Sequence, residues 1–358
     1  MMRKSAKLVL RFSFIVFMIL TGCGRTKQSG KDAAGYSYLA RIQKARSFND
    51  IFHKVQEIRL SLTDSSAIGY PRAFCVRKDG DIIVLDETIT KRVFLFDSLG
   101  NFLRVVGRRG EGPGEYQSPT SVTCDNRGRI IVADNQLSRI NYYDADGNFL
   151  SSFGLPFMVA KISCNPMNNT IYVQRQHNIE EAVYVFREDG HAIFSIKFYE
   201  EAIPYAPAAM GGMAFDSSGA LYWIGPLKYE IQKYIGRDRI GLFTSPTNNY
   251  LPPEINLNNR WHPDREWYKS FSHIFGIDYL SPGFLLVHFD NPRKKVEGFP
   301  KLYMEIFSSN GIFLKVVEPP RALTYASGRF LYTMGRPELG SSGELLNPIV
   351  TKYEISSE

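Results

Sequence analysis

The chain has 358 residues, with 43 Lys and Arg against 36 Asp and Glu and a formal net charge of +7. Four of the basic residues and none of the acids lie in the first 22, so the remainder carries 39 against 36, or +3, which gives little support to a nucleic-acid partner. Aromatic residues make up 13%, with 25 Phe and 20 Tyr, and no long helical period is present, a composition that favours strands.

At the N-terminus, Arg3, Lys4, Lys7 and Arg11 form a basic start and Phe12 to Leu20 a short apolar run, followed by Leu20-Thr21-Gly22-Cys23. A membrane-spanning helix needs roughly 20 apolar residues, and Arg11 interrupts a run that is already too short, so a secretion signal is the better reading. The order of charge, apolar run, small pair and Cys resembles the bacterial lipobox. That resemblance implies that residues 1–22 are a lipoprotein signal peptide and that Cys23 is acylated. Two or more acyl chains hold stably where one holds only marginally. Gly24 follows, with no Asp at the position that retains many such proteins at the inner membrane. The expected location is therefore the periplasmic side of a membrane, outer favoured over inner. Residues 23–50 read as a lipid-anchored tether with a short helix around Tyr38 to Arg46.

From about residue 54 the pattern is strand, turn, strand, and it recurs. Asp79-Gly80-Asp81-Ile82-Ile83-Val84-Leu85-Asp86 matches Asn126-Arg127-Gly128-Arg129-Ile130-Ile131-Val132-Ala133-Asp134. The strands that follow, Arg92 to Phe96 and Arg139 to Tyr143, end in Asp97-Ser98-Leu99-Gly100 and Asp144-Ala145-Asp146-Gly147, and then in Asn-Phe-Leu at 101–103 and 148–150. In these turns Asp bonds nearby backbone and Gly supplies a positive φ. The turn ahead of the second strand recurs six times, anchored at Gly80, Gly128, Asn169, Gly219, Gly283 and Gly328. Asn169 is acceptable because Asn tolerates the left-handed region. Repeats of this length with several strands each indicate propeller blades, and six matching turns outweigh a β-sandwich. Residues 51–358 are thus expected to form an all-β, six-bladed β-propeller.

The first two repeats resemble the NHL-repeat family, and in particular the six-bladed propeller lipoproteins of Bacteroidetes-type bacteria. The resemblance rests on Gly-x-Ile-x-Val-(Leu/Ala)-Asp, the Arg that opens the next strand, the Asp-x-x-Gly-x-Phe-Leu hairpin and the Gly-rich linker at 107–116. It is specific over residues 73–155. Later repeats lose the Asp after the strand, with Gln174, Gly225, His288 and Thr333 near its place. In the family pattern Asp86 and Asp134 cap their loops, bonding backbone near Lys91 and Arg139, rather than serving as metal or substrate ligands.

The last repeat lacks one strand, because the chain ends after Ile349 to Ile355. Lys54 to Leu62 fits that vacancy and should pair with 349–355, sealing the ring against exposed edges. Strand order then sorts the loops. Short Gly turns occupy one face, and the long connections 107–119, 174–182, 200–212, 244–273, 289–300 and 335–348 occupy the other. A ligand is expected on the long-loop face, since binding residues concentrate on loops held by a rigid scaffold.

Candidate ligand-binding residues there are Arg108 and Arg109 in the Gly-rich linker, and Trp261, Arg265, Trp267 and Tyr268 in the aromatic insert 261–273. The competing structural roles are solvation of the linker and pinning of a short helix over the ring. His53, His177, His191, His262, His273 and His288 show no metal-ligand spacing, and no Gly-x-Ser-x-Gly elbow or Walker loop is present. No catalytic residue, metal or cofactor is therefore assigned. Cys75, Cys124 and Cys164 fall on innermost strands. Alternation turns Cys124 opposite to the other two, and blades one and three are too far apart for a bond, so three free thiols are expected. The leading expectation is a lipid-anchored binding or scaffold module for a protein, peptide or glycan. A propeller hydrolase or lyase with an unrecognised channel site is the alternative.

Overall fold

The computed structural model describes residues 38–87, 89–176, 181–197, 211–254 and 265–355. The signal segment, Cys23 and Trp261 lie outside the described residues, as do parts of three expected loops.

Six four-stranded antiparallel sheets stand around one axis as the blades of a propeller. From the axis outward, blade one is Pro71–Val76, Ile82–Asp86, Arg92–Phe96 and Phe102–Val106, and blade two is Pro119–Cys124, Ile130–Asp134, Arg139–Tyr143 and Phe149–Gly154. Blade three is Val159–Cys164, Ile171–Arg175, Glu181–Phe186 and Ala192–Lys197; blade four is Gly212–Phe215, Leu221–Ile224, Glu230–Ile235 and Asp238–Thr244. Blade five is Ile274–Leu280, Phe284–Val296, Phe299–Ser308 and Phe313–Val317. Blade six takes Leu323–Ser327, Phe330–Met334 and Ile349–Ile355 from the end of the chain and Phe52–Arg59 from its beginning.

The core is divided into six layers, one between each pair of neighbouring blades, and period-two alternation explains the division. In Ile82–Asp86 every residue is buried. Ile82 and Val84 face Tyr332, Met334 and Val350 of blade six, whereas Ile83 and Leu85 face Val122, Ile130 and Val132 of blade two. Blades four and five meet through Tyr222, Ile224 and Ile231 against Leu285, Val287 and Phe289. Because both faces are covered, these strands read as continuous apolar runs.

All six turn anchors have positive φ: 96° at Gly80, 79° at Gly128, 57° at Asn169, 82° at Gly219, 149° at Gly283 and 60° at Gly328. Gly212 answers a different need. A Cβ there would lie 2.9 Å from the Ile277 backbone nitrogen, so only Gly lets the innermost strands of blades four and five approach.

The ring is sealed as expected, by antiparallel pairing of Phe52–Arg59 with Ile349–Ile355, from Phe52 opposite Ile355 to Arg59 opposite Ile349. The N-terminal strand starts and ends slightly earlier than the pattern implied. Buried Asn347 fastens the seal: its Oδ1 accepts from the Ile68 N–H at 2.8 Å, and its Nδ2 donates to the carbonyls of Ser61 at 2.9 Å and Ser66 at 2.7 Å. Residues 38–51, mostly read from sequence as tether, contain a helix over 38–44 and a second at Phe48–Ile51. Ile42, Ala45, Phe48 and Ile51 are buried against Leu280, Phe284 and Met304 of blade five and Tyr353 and Ile355 of blade six. Tyr38 meets Phe284 edge to face at 6.3 Å, just after a short turn, so the chain enters the propeller on its short-turn side.

One expected loop is corrected. Residues 289–300 are mostly strand, because Phe284–Val296 and Phe299–Ser308 extend beyond the blade as a two-stranded ribbon turning at Glu297 and Gly298. The connections 107–119 and 335–348 carry small ladders of their own, Arg108–Arg109 with Glu115–Tyr116 and Glu338–Leu339 with Leu345–Leu346.

Removing residues 349–358 should abolish the single cooperative thermal transition followed by circular dichroism, rather than shorten an otherwise intact fold. Asn347→Ala leaves the buried Ile68 N–H and Ser66 carbonyl unpaired, while the Ser61 carbonyl keeps the Ser66 hydroxyl, and should cost about 2 kcal/mol, read as a lower urea midpoint at unchanged slope.

Candidate functional site: the channel and the long-loop face

The Asp that ends the second strand in blades one and two ties two loops together. Buried Asp86 accepts from the N–H of Ile89 at 3.1 Å and the Thr90 hydroxyl at 3.1 Å in the following loop, and from the Gly69 N–H at 2.7 Å in the segment entering the blade. Asp134 likewise accepts from Gln136 at 2.9 Å and Leu137 at 3.1 Å, and from Gln117 at 2.5 Å and Ser118 at 3.2 Å in the incoming linker. The capping role is as the family pattern implied, but the grip on the incoming linker was not apparent from sequence. Blade five has the incoming half of this device one position later. Asp290 accepts from the His273 N–H at 2.7 Å, and its Oδ2 lies 3.0 Å from His273 Nδ1.

Polar side chains knit the innermost strands along the channel. Ser121 Oγ accepts from the Ile162 N–H at 3.1 Å, linking blades two and three. Lys161, on the innermost strand of blade three, donates to the carbonyls of Gly211 at 2.5 Å and Phe275 at 2.6 Å, at the entries to blades four and five. Burial, with Arg72 adding repulsion, lowers its ammonium pKa to about 8. Asp278 of blade five accepts from Thr324 Oγ1 at 2.7 Å and the Ala326 N–H at 3.2 Å in blade six, and lies 3.0 Å from His288 Nε2. Burial alone would raise its pKa, but the hydrogen bonds from His288, Thr324 and Ala326 outweigh burial and hold it below the usual value. Arg72 pairs with Glu87 at 3.1 Å. The acids along this wall are engaged with backbone or neighbouring side chains. Among the described residues, no group of three or more His, Cys, Asp or Glu is arranged to hold a metal ion.

Among the described residues, those singled out from sequence do not form one cluster. Arg108 is exposed and pairs with Glu115 at 2.6 Å, while Glu115 also accepts from the Gly112 N–H at 2.7 Å. That backbone bond and Arg108 lower the Glu115 pKa. Arg109 is exposed on the same short ladder. Arg265 opens the helix Arg265–Tyr268, and its side chain is outside what is described. Trp267 packs on Phe271 at 4.6 Å and on Tyr268 at 5.1 Å, and its indole N–H donates to the Glu254 carbonyl at 2.9 Å. With buried Leu227 and Phe271 these rings fasten the insert to blade four.

A feature missed at the sequence level is the blade-five ribbon. It rises on the long-loop side and exposes Arg293, Lys294 and Lys295, with Val296 53% and Phe299 64% exposed at its end. The alternation that marks an exposed ribbon is broken here by a run of charges, a Gly and a Pro, which reads as loop.

The fold and its repeat define an NHL-like six-bladed propeller. The chain belongs to the family described as a domain of unknown function, DUF4934, which matches residues 40–276. NHL repeat-containing protein 3 of Homo sapiens is 28% identical over 225 residues, covering 59% of this chain and 60% of that protein. Protein brain tumor of Drosophila melanogaster is 38% identical over 90 residues, covering 25% of this chain and 8% of that protein. The chain therefore spans less than two thirds of these relatives. Among solved structures, a DUF4221 family member from Bacteroides vulgatus superposes with a TM-score of 0.62 at 9% identity, covering 85% of this chain and 98% of that one. Virginiamycin B lyase from Staphylococcus aureus superposes with a TM-score of 0.52 at 13% identity, covering 84% and 99%. At such identities these likenesses show the fold alone.

His273 gives a pH signature. Burial lowers its pKa, but the hydrogen bond and charge of Asp290 outweigh burial and raise it above the ordinary 6.5. The protonated form is thus favoured by folding, a contribution fully present below the unfolded value and lost as pH rises through the folded one. His273→Gln should lower the melting temperature more at about pH 5.5 than at about pH 9, the gap closing between.

Proposed function

We propose that this chain is an exported lipoprotein, anchored through Cys23 on the periplasmic side of a membrane with the outer membrane favoured, whose propeller binds a protein, peptide or glycan partner on its long-loop face. The observation that carries the binding role is the blade-five ribbon. Val296 and Phe299 stand exposed to water beside Arg293, Lys294 and Lys295, a mixed apolar and cationic surface of the kind that marks interaction sites. Apolar side chains raised on a two-stranded ribbon contribute nothing to the blade core, so their place is explained by a contact outside the molecule. The anchoring reading draws on the lipobox-like N-terminus. The entry of residues 38–51 on the short-turn side supports an orientation in which the long-loop face is free to meet a partner. Asp278 along the channel is occupied by Thr324, Ala326 and His288, and Asp86 and Asp134 by loop backbone, which favours binding over chemistry.

Cys23→Ser should shift the protein from the membrane to the soluble fraction of fractionated cells. A photocrosslinking residue at Phe299 should capture a discrete partner in native membranes, whereas one at Leu99, exposed on a short turn, should not. Equal capture from both positions would contradict a long-loop binding face.

A further inference from the structure

We propose that Cys75 and Cys124 form a disulfide that bonds blade one to blade two beside the central channel. The two thiols stand with their sulfurs 2.7 Å apart, closer than unbonded sulfurs rest. Cys124 ends the innermost strand Pro119–Cys124 and Cys75 is next to last in Pro71–Val76, and they sit in the single apolar layer between these blades with Val122, Ala73 and Tyr325. Opposite alternation is what brings them together. In a ring, one face of each blade packs on the opposite face of the next, so side chains of opposite parity on neighbouring strands meet. Cys164 belongs to the following layer, between blades two and three, where its sulfur lies 3.8 Å from the Asn165 carbonyl. It has no part in the pair.

The surroundings hold the two sulfurs in place. Arg77, next but one to Cys75, reaches across to blade two and donates to the carbonyls of Ala145 at 2.5 Å and Gly128 at 3.4 Å. This clamp fixes the two strand ends relative to each other, so the folded ring holds the sulfurs where the bond needs them. The proposal rests on the export reading, because structural disulfides persist in oxidising compartments and not in a reducing cytosol.

The chemistry is thiol–disulfide exchange with an external disulfide, either a small oxidised thiol or an exported oxidoreductase. One cysteine thiolate attacks a sulfur of the incoming disulfide and releases one thiolate. The second cysteine then attacks its partner's sulfur in the mixed disulfide and releases the other. One S–S bond forms in the chain and one breaks in the oxidant. The two cysteines together give up two protons and two electrons. Burial holds the Cys124 thiol well above its ordinary pKa, so attack belongs to the stage of folding when the blades are still apart.

The test is alkylation of the full-length protein from native membranes, denatured without reductant, followed by peptide mapping. The expected result is a linked peptide pair carrying Cys75 and Cys124 and an alkylated Cys164. A second arm refolds the reduced, purified protein with oxidised glutathione. The same pair should form there, with loss of two thiols and no lasting glutathione adduct. Pairing in this arm together with three free thiols in cells would sustain the geometry and count against export, which Cys23 acylation in the same sample checks separately. Three alkylated cysteines in both arms would overturn the proposal. The paired variant Cys75→Ser with Cys124→Ser should melt roughly 5–10 °C lower than the unreduced wild type. Adding reductant should remove most of that difference; a difference unchanged by reductant would contradict the bond.

Discussion

The architecture depends on one antiparallel pairing, that of Phe52–Arg59 with Ile349–Ile355. A ring of sheets has no hydrophobic reason to close unless its last interface is as good as the others, and here the last blade is built from both ends of the chain. The closure supplies backbone hydrogen bonds that cover the outer edge of Ile349–Ile355. It also completes two apolar layers, one holding Leu331, Tyr353 and Ile355 and the other Tyr332, Met334 and Val350. Asn347 and the helices at 38–51 secure the same region from either side of the ring.

With the ring closed, the two faces acquire different characters. One carries tight turns whose Gly and Asn residues are committed to positive φ. The other carries the inserts, the Asp-capped loops and the ribbon of blade five. Asp86 and Asp134 each couple a loop on that face to the segment arriving from the preceding blade, and Asp290 ties the base of the ribbon to its own incoming segment, so the loops are held by the scaffold while their outer residues are free to vary. Conformation is fixed close to the ring, and recognition is left to what projects from it.

Much of the fold was legible because propellers write their period into short-range chemistry. Each blade needs a left-handed residue at the same turn, and six such anchors, Asn169 included, could be found without knowing any contact. The closure was legible as a missing strand. Residues that act across blades were harder to read. Asp290 was hidden by one extra residue before it, and the basic run at 293–295 disguised a ribbon as a loop. Trp267 and Tyr268 were flagged for their chemistry, but Trp267 spends its indole N–H on a backbone carbonyl and both rings pack with Phe271 against Leu227 of blade four. The parity of Cys75 and Cys124 was read correctly as opposite, but Cys164 shares the parity of Cys124 and not that of Cys75, because the turn at Asn165–Thr170 is one residue longer. That opposite parity on adjacent blades means contact follows only from ring packing, which no single strand displays.

Native-state hydrogen exchange resolved by segment tests the closed ring most directly. If the seal is integral to the cooperative fold, amides in 52–59 and 349–355 exchange together, and only through the same global opening that exposes Ile82–Asp86 and Ile130–Asp134. Exchange of the two terminal strands well ahead of those inner strands, with the remaining blades still protected, would contradict the account.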